Sequence, residues 1–183
     1  MKVEPLAIPD VILVTPDRYK DTRGFFSETW NEARFSAAGI YLPFVQDNHS
    51  LSRERGVVRG LHCQVEPYAQ GKLVRCVRGA IWDVAVDARR DSPTYGRWVA
   101  QELSEENWHQ LWIPPGFLHG FCTLAPDTEV LYKVTGRYDK ASERGIIWND
   151  PDLALPWPLR EAEAVLSEKD QGLPRWADTP ALF

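Results

Sequence analysis

Short stretches that alternate apolar and polar residues dominate this chain, and they constrain its fold more than any other feature. Ala80-Ile-Trp-Asp-Val-Ala-Val-Asp87 is the clearest. Trp82, Val84 and Val86 fall on one face and Ile81, Asp83, Ala85 and Asp87 on the other, as the two-residue period of a strand requires. Gly24-Phe-Phe-Ser-Glu-Thr-Trp30 alternates too. Further strands are expected at Phe44–Ser50, Gly56–Gln64, Lys72–Val77, Arg97–Leu103, Gln110–Ile113, His119–Thr123 and Val130–Gly136, with Gly, Pro, Asp and Asn in the turns between them. Helix signals are few. Asn31 to Ala38 has a cap in Asn31 and a stop in Gly39, and a short second helix is expected near Glu161 to Val165. From Asn149 on, the chain is Pro-rich and weakly periodic, suited to wrapping a β-core and closing a site. The 183 residues suffice for one domain, 1–183. Many short strands in one domain point to an all-β fold, a double-sheet jelly roll or barrel.

Charge and composition exclude several function classes. The net charge is −5 and no basic run exists, so tracking a nucleic-acid backbone is not expected. A single nucleotide ligand remains compatible, because one or two arginines suffice for it. No apolar run approaches the roughly 20 residues of a membrane span. The start, MKVEPLAIPD, has an acid and two prolines where a signal peptide needs an apolar stretch. Cys63, Cys76 and Cys122 are odd in number and include no Cys-x-x-Cys pair, which suggests neither a disulfide framework nor a thiolate zinc site. A cytoplasmic protein with no membrane partner is expected. The eight tryptophans are mostly accounted for by packing, with a few left to stack on a flat ligand ring.

Four histidines are present. His49 and His109 sit in polar company, while His62 and His119 lie in patterned segments. Gly56-(x)5-His62 is followed by Cys63-Gln64, and much later comes Pro114-Pro-Gly-Phe-Leu-His119. The two stretches resemble the paired motifs of the cupin superfamily. In that superfamily three histidines and a glutamate hold a metal inside a small jelly-roll barrel. Here Gln64 stands at the second histidine position and no glutamate follows at the usual place. Two histidines are a poor site for a divalent metal, which typically takes about three protein ligands. The resemblance therefore implies a cupin-like double-stranded β-helix, a jelly-roll barrel with a few short helices, working with no metal and no cofactor. A histidine freed from ligation can move protons, since an unperturbed imidazole titrates near ~6.5. Taken alone, His62 is more readily a buried, hydrogen-bonded histidine. Its neighbours change that balance. Arg59, Gln64, Gln70 and Lys72 lie close by in sequence, with Gln64 on the His62 face by strand alternation. A lysine on an inner face needs a negative partner. Lys72 either pairs with an acid or waits for charge on a substrate, such as an enolate oxygen.

A more specific resemblance runs along nearly the whole chain. Asp21-Thr-Arg-Gly-Phe-Phe-Ser-Glu-Thr-Trp30, Gln46-Asp-Asn-His-Ser50, Gly56-Val-Val-Arg-Gly-Leu-His62, Gln70-Gly-Lys-Leu-Val74, Ser92-Pro-Thr-Tyr-Gly96, Ile113-Pro-Pro-Gly-Phe-Leu-His-Gly-Phe121, Trp148-Asn-Asp-Pro151 and Leu166-Ser-Glu-Lys-Asp170 occur in order. Together they resemble the dTDP-4-dehydrorhamnose 3,5-epimerase family. Its members invert C3 and C5 of dTDP-4-keto-6-deoxy-D-glucose, the step that gives the rhamnose-series ketosugar. The C4 ketone acidifies the hydrogens on both adjacent carbons, so a base, an enolate and an acid on the other ring face suffice, without a cofactor.

The resemblance implies a role for each matching residue. His62 is the base, Asp170 orients and charge-stabilises its ring, Lys72 holds the enolate oxygen, and Tyr132 donates a proton from the opposite face. Tyr138 positions the sugar. Arg59 and His119 are sugar and phosphate contacts. Gln46, Asp47, Asn48, Glu143 and Lys169 are nucleotide or sugar contacts. Arg23, Phe25 and Glu28 are supplied by a neighbouring subunit, which implies a homodimer. From spacing alone the tyrosines fit core packing equally well, and Arg23 with Glu28 fits an exposed ion pair. Cys63 stands where an aromatic is common, and alternation points it away from His62. Leu118 replaces a smaller residue beside His119 and is expected to trim the pocket. The rival readings are an epimerase acting only at C3 or only at C5, a metal-dependent cupin, and a non-catalytic sugar-binding module.

Overall fold

The computed structural model describes residues 1–183. Thirteen strands and two short α-helices make it up. The strands are β1 (Lys2–Pro5), β2 (Ile12–Thr15), β3 (Tyr19–Asp21), β4 (Gly24–Phe26), β5 (Gln46–Ser52), β6 (Val58–Gln64), β7 (Lys72–Arg78), β8 (Ala80–Asp87), β9 (Trp98–Ser104), β10 (Gln110–Ile113), β11 (Phe117–Thr123), β12 (Thr128–Val134) and β13 (Glu143–Gly145). The helices are α1 (Glu32–Ala37) and α2 (Glu168–Gln171), with one 3₁₀ turn at Glu161–Glu163.

The strands form a six-stranded sheet, β1-β2-β10-β7-β12-β5, and a five-stranded sheet, β13-β6-β11-β8-β9, with β3 and β4 paired as a separate hairpin. All neighbours within these sheets are antiparallel. The all-β expectation with few helices holds, but the jelly-roll barrel does not. The sheets are not closed on each other: β1 and β5 are free edges of one, and β13 and β9 of the other. Alternation tells which face of a strand is buried and says nothing about whether its edge finds a partner. A pattern that suits a barrel suits two open, facing sheets as well.

The largest core cluster lies between the sheets. Val74, Leu111, Ile113 and Val130 from the six-stranded sheet meet Ile81, Ala85, Leu103, Phe117 and Phe121 from the five-stranded one. Each fully buried aliphatic of this size contributes roughly 1.5–3 kcal/mol. The alternation read from β8 sorts as expected. Ile81 and Ala85 join this inner cluster, while Val84 and Val86 join an outer one, with Trp82 packed against it. The outer cluster is roofed by the C-terminal segment through Leu153, Trp157, Trp176, Leu182 and Phe183. On the other flank, Phe35 of α1 and Ile40 pack on Val14, Leu73 and Trp112.

Local signals explain the helices. Asn31 caps α1 by accepting from the Arg34 N–H. Ser167 does the same for α2, accepting from the Asp170 N–H. The Glu161 segment makes only a 3₁₀ turn, and Gly24–Trp30 is extended only to Phe26. The strands β1, β2, β3 and β13 have three or four residues each, too few to show a period.

The C-terminal segment returns to the sheet beside β6. Val58 N–H donates to the Val165 carbonyl and Val165 N–H to the Gly56 carbonyl, both at 2.9 Å. Gly56 has φ +85°, and a Cβ there would sit 2.6 Å from the Glu163 carbonyl oxygen. Only glycine allows this approach, and it is what brings α2 to the strand that carries His62.

Candidate active site

His62 projects from β6 into a cleft between the sheets. Directly opposite it in the ladder stands His119 of β11. Between His119 and Phe121 the register slips, so that two residues of β6, Gly60 and Leu61, stand opposite one of β11, Gly120. Gly60, at φ +113°, absorbs the slip. A Cβ on it would meet the His119 carbonyl oxygen at 2.6 Å. This bulge turns Arg59 into the same cleft as His62, although three-residue spacing would place the two on opposite faces.

The cleft has two lobes. The first, about 290 Å³, is lined by Ser50, Arg59, His62, Lys72, His119, Tyr132, Lys169 and Asp170, among others. The second, about 180 Å³, is lined by Gln46, Asn48, Cys63, Gln64, Gln70, Tyr138 and Glu143, and shares His62, Lys72 and Tyr132 with the first. Those three shared side chains come from facing sheets: His62 from β6, Lys72 from β7 and Tyr132 from β12.

His62 Nε2 lies 2.6 Å from Asp170 Oδ1. The carboxylate oxygen sits off the ring N–H direction, and neither atom has another hydrogen-bond partner. The contact is a close charge pairing rather than an aligned hydrogen bond. Burial by itself would push Asp170 up. The His62 ring and the other groups around it outweigh burial and hold the carboxyl below the usual carboxylate range. Asp170 thus stays ionised behind the ring.

Lys72 has no carboxylate partner; its Nζ donates to the His62 carbonyl at 3.4 Å. The residue opens partly on the cleft, but protein surrounds its ammonium. Desolvation lowers its pKa, with Asp83 and Glu143 among the nearby groups that oppose the fall. Of the two roles open to Lys72, waiting for substrate charge fits this setting. Burial raises Tyr132 above the ordinary phenol value, keeping its proton in place. His119 is buried with Nε2 2.9 Å from Asp83 Oδ2. Its desolvation lowers its pKa against the pull of Asp83.

At the mouth, Tyr138 donates to Glu143 Oε2 at 3.0 Å, and Lys169 Nζ lies 2.6 Å from the same oxygen. Gln46 donates to Asn48 Oδ1. Asp47 does not join them. Alternation turns it to the other side of β5, where it pairs with Lys133 at 2.9 Å. Arg23, Phe25 and Glu28 also stand outside the cleft of their own chain. Arg23 pairs with Asp21 on the exposed β3–β4 hairpin, Phe25 packs edge-on against Trp108, and Glu28 pairs with Arg34. Leu118 does not trim the pocket: it is fully buried in the outer cluster, as is Cys63 for the most part. Gln64 is buried and structural, donating to the Tyr68 and Arg137 carbonyls and accepting from the Asp139 N–H.

Several residues of the site escaped sequence reasoning, Phe121 and Ser167 of the first lobe among them. Asp83 completes the pair with His119, and the signal was present: an acid on the apolar face of a strand, alongside Ile81 and Ala85, needs a buried partner. Ser50 lines the first lobe with its hydroxyl unpartnered, and nothing in its spacing marks it. No group of three or more His, Cys, Asp and Glu side chains is placed to hold a metal ion.

Comparison with known proteins decides the family. The family model for dTDP-4-dehydrorhamnose 3,5-epimerase matches residues 5–178. The chain belongs to this family. A dTDP-4-dehydrorhamnose 3,5-epimerase of Pseudomonas aeruginosa is 54% identical over 179 residues, covering 97% of this chain and 97% of that one. Among solved structures, the dTDP-6-deoxy-D-glucose-3,5-epimerase of Legionella pneumophila, in complex with dTDP-4-keto-L-rhamnose, superposes with a TM-score of 0.93. It is 43% identical and the match covers 98% of this chain and 95% of that one. A dTDP-4-dehydrorhamnose 3-epimerase of Streptomyces niveus is 41% identical over 172 residues, 93% of this chain and 82% of that one. Membership of the epimerase family gives the His62 cleft a chemical context.

Proposed function

We propose that this epimerase-family chain is a dTDP-4-dehydrorhamnose 3,5-epimerase, an isomerase that inverts C3 and C5 of dTDP-4-keto-6-deoxy-D-glucose in dTDP-L-rhamnose formation. One observation carries the reading: a histidine backed by an ionised aspartate faces a protonated tyrosine across the cleft, with an unpaired lysine between the sheets. His62 takes the proton from the carbon beside the ketone. The C–H electron pair moves into the ring and onto the C4 oxygen, giving an enolate that Lys72 neutralises. Tyr132 delivers a proton to the same carbon from the other face, and the enolate collapses back to the ketone. Arg59, His119, Gln46, Asn48, Tyr138, Glu143 and Lys169 hold the nucleotide sugar around these groups. No step calls for a cofactor, and the whole of 1–183 serves as one domain, because the site draws on residues from β5 to α2.

Incubation with dTDP-4-keto-6-deoxyglucose in deuterium oxide is expected to place label at both C3 and C5. Label at one carbon supports the second reading, a mono-epimerase, which the 41% identical 3-epimerase relative favours. No label at all would sink the epimerase reading.

The free chain exposes Tyr19, Phe25 and Phe26 on the β3–β4 hairpin, an apolar surface suited to a second copy. We infer that the enzyme is a homodimer in which Arg23, Phe25 and Glu28 complete the neighbour's cleft. Mixing inactive Arg23→Ala with inactive His62→Asn subunits should restore up to about a quarter of wild-type turnover. The arithmetic is that mixed dimers are half of the pool and hold one intact site each. No recovery after subunit exchange would remove the shared-site reading. Three free, buried cysteines support a cytoplasmic setting, and no helix is long and apolar enough to cross a membrane.

A further inference from the structure

The acid–base pair is assembled from two elements that are distant in the chain. His62 stands on β6, whose neighbour β13 pairs Gly145 with His62 and Glu143 with Gln64. Asp170 stands on α2, a helix of only four residues. So short a helix holds itself poorly. Its backbone is tied by the Ser167 cap and by the Gln171 N–H to the Ser167 carbonyl. Two of its side chains form ion pairs with the sheet: Asp170 with His62, and Lys169 with Glu143 at 2.6 Å. The second tie ends on the strand that is hydrogen-bonded to the strand bearing the first. Packing there leaves little slack, since a Cβ on Gly145 would lie 2.8 Å from both Leu173 Cδ2 and the Leu61 carbonyl oxygen. Tyr138 donates to the same Glu143 oxygen and so restrains that carboxylate.

We propose that Glu143 and Lys169 form a latch that sets Asp170 against His62, acting as positioning residues for proton transfer and not only as contacts for the nucleotide sugar. The inference rests on the epimerase reading above. The Asp170 oxygen already lies off the ring N–H direction at 2.6 Å. A small rotation of α2 therefore changes how well the carboxylate supports a forming imidazolium. Lys169 is 53% exposed and Glu143 18%, so the pair adds little to global stability. Its effect falls on rate rather than on folding.

The charged and titratable groups around His62 shape the test. They are Asp170 and Lys169 from α2, Lys72 from β7, His119 backed by Asp83, Glu143 from β13, Tyr132 from β12 and Arg59 from β6. A purely through-space effect has opposite signs for the two latch residues. Loss of the Glu143 charge disfavours the imidazolium, and loss of the Lys169 charge favours it. A latch has one sign, because either loss loosens Asp170. Steady-state kinetics and pH–rate profiles of Glu143→Gln, Lys169→Met, the double variant and Lys169→Arg are to be measured beside the wild type.

Both single variants are expected to lose about 3–10-fold in kcat, a loss separate from any rise in KM that follows from their contacts with the nucleotide sugar. The acid limb of kcat/KM should move to lower pH in both, the double variant should be no worse than either single one, and Lys169→Arg should recover most of the loss. A raised KM with unchanged kcat and unchanged profile would show substrate contacts only and overturn the latch, as would acid limbs that move in opposite directions. A wild-type chain that catalyses no exchange would overturn the epimerase reading itself, a result separate from any of these.

Discussion

Replacing His62 with asparagine is expected to cut C3 and C5 proton exchange by about 10²–10⁴-fold, the usual worth of a positioned general base, while the nucleotide sugar still binds. Asparagine keeps a polar group of similar reach on β6 and cannot take up a proton. The cleft walls from β7, β12 and α2 stay in place, so binding through Arg59, Gln46 and Asn48 is retained. Asp170 should lose most of its influence on rate in this background, because its effect runs through the imidazole 2.6 Å away. Deuterium incorporation, with nucleotide affinity measured in parallel, checks both parts. Exchange at the wild-type rate in His62→Asn would remove His62 from its role.

Lys72→Met is expected to cost about 10²–10³-fold in kcat, the scale seen when one donor to a developing oxyanion is lost. The methionine fills similar volume and removes the charge. Desolvation lowers the pKa of Lys72, which fixes the sign of the pH dependence. The ammonium is present at low and neutral pH and is lost as pH rises, earlier than for an exposed lysine. The wild-type rate should therefore fall on an alkaline limb below the ordinary lysine range, and Lys72→Met should lack that limb. An unchanged kcat in the variant would mean that the enolate is held by another group.

Much of the fold was legible because alternation reports burial directly. The β8 segment separated into inner and outer residues as read, and the same rule placed Cys63 in the outer cluster; Asp47, expected at the sugar, pairs instead with Lys133 on the other side of β5. Alternation failed at Arg59, where the bulge at Gly60 reverses the faces. It also did not reveal that the sheets stay open, since edge closure depends on pairings between strands far apart in sequence. Strands of three residues left no period to detect, and β13, which carries Glu143, was missed for that reason. Asp83 was visible as an acid on an apolar face, yet its partner was not, because β8 and β11 meet only in the folded sheet.

The sequence by itself determined the β-rich class, the capped first helix and, through its ordered blocks, the family; it also named many of the residues that line the cleft. These are local patterns or matches read position by position. Only the tertiary structure decided that His62 has a counter-charge. Asp170 lies more than a hundred residues away, on a four-residue helix that the Val57–Val165 bridge brings back to β6. It also decided that Lys72 has none, and that a pair at the mouth of the cleft ties α2 to the strand beside the base. Charge pairing depends on distance in space, and a strand pattern carries information only along the chain and across its two faces.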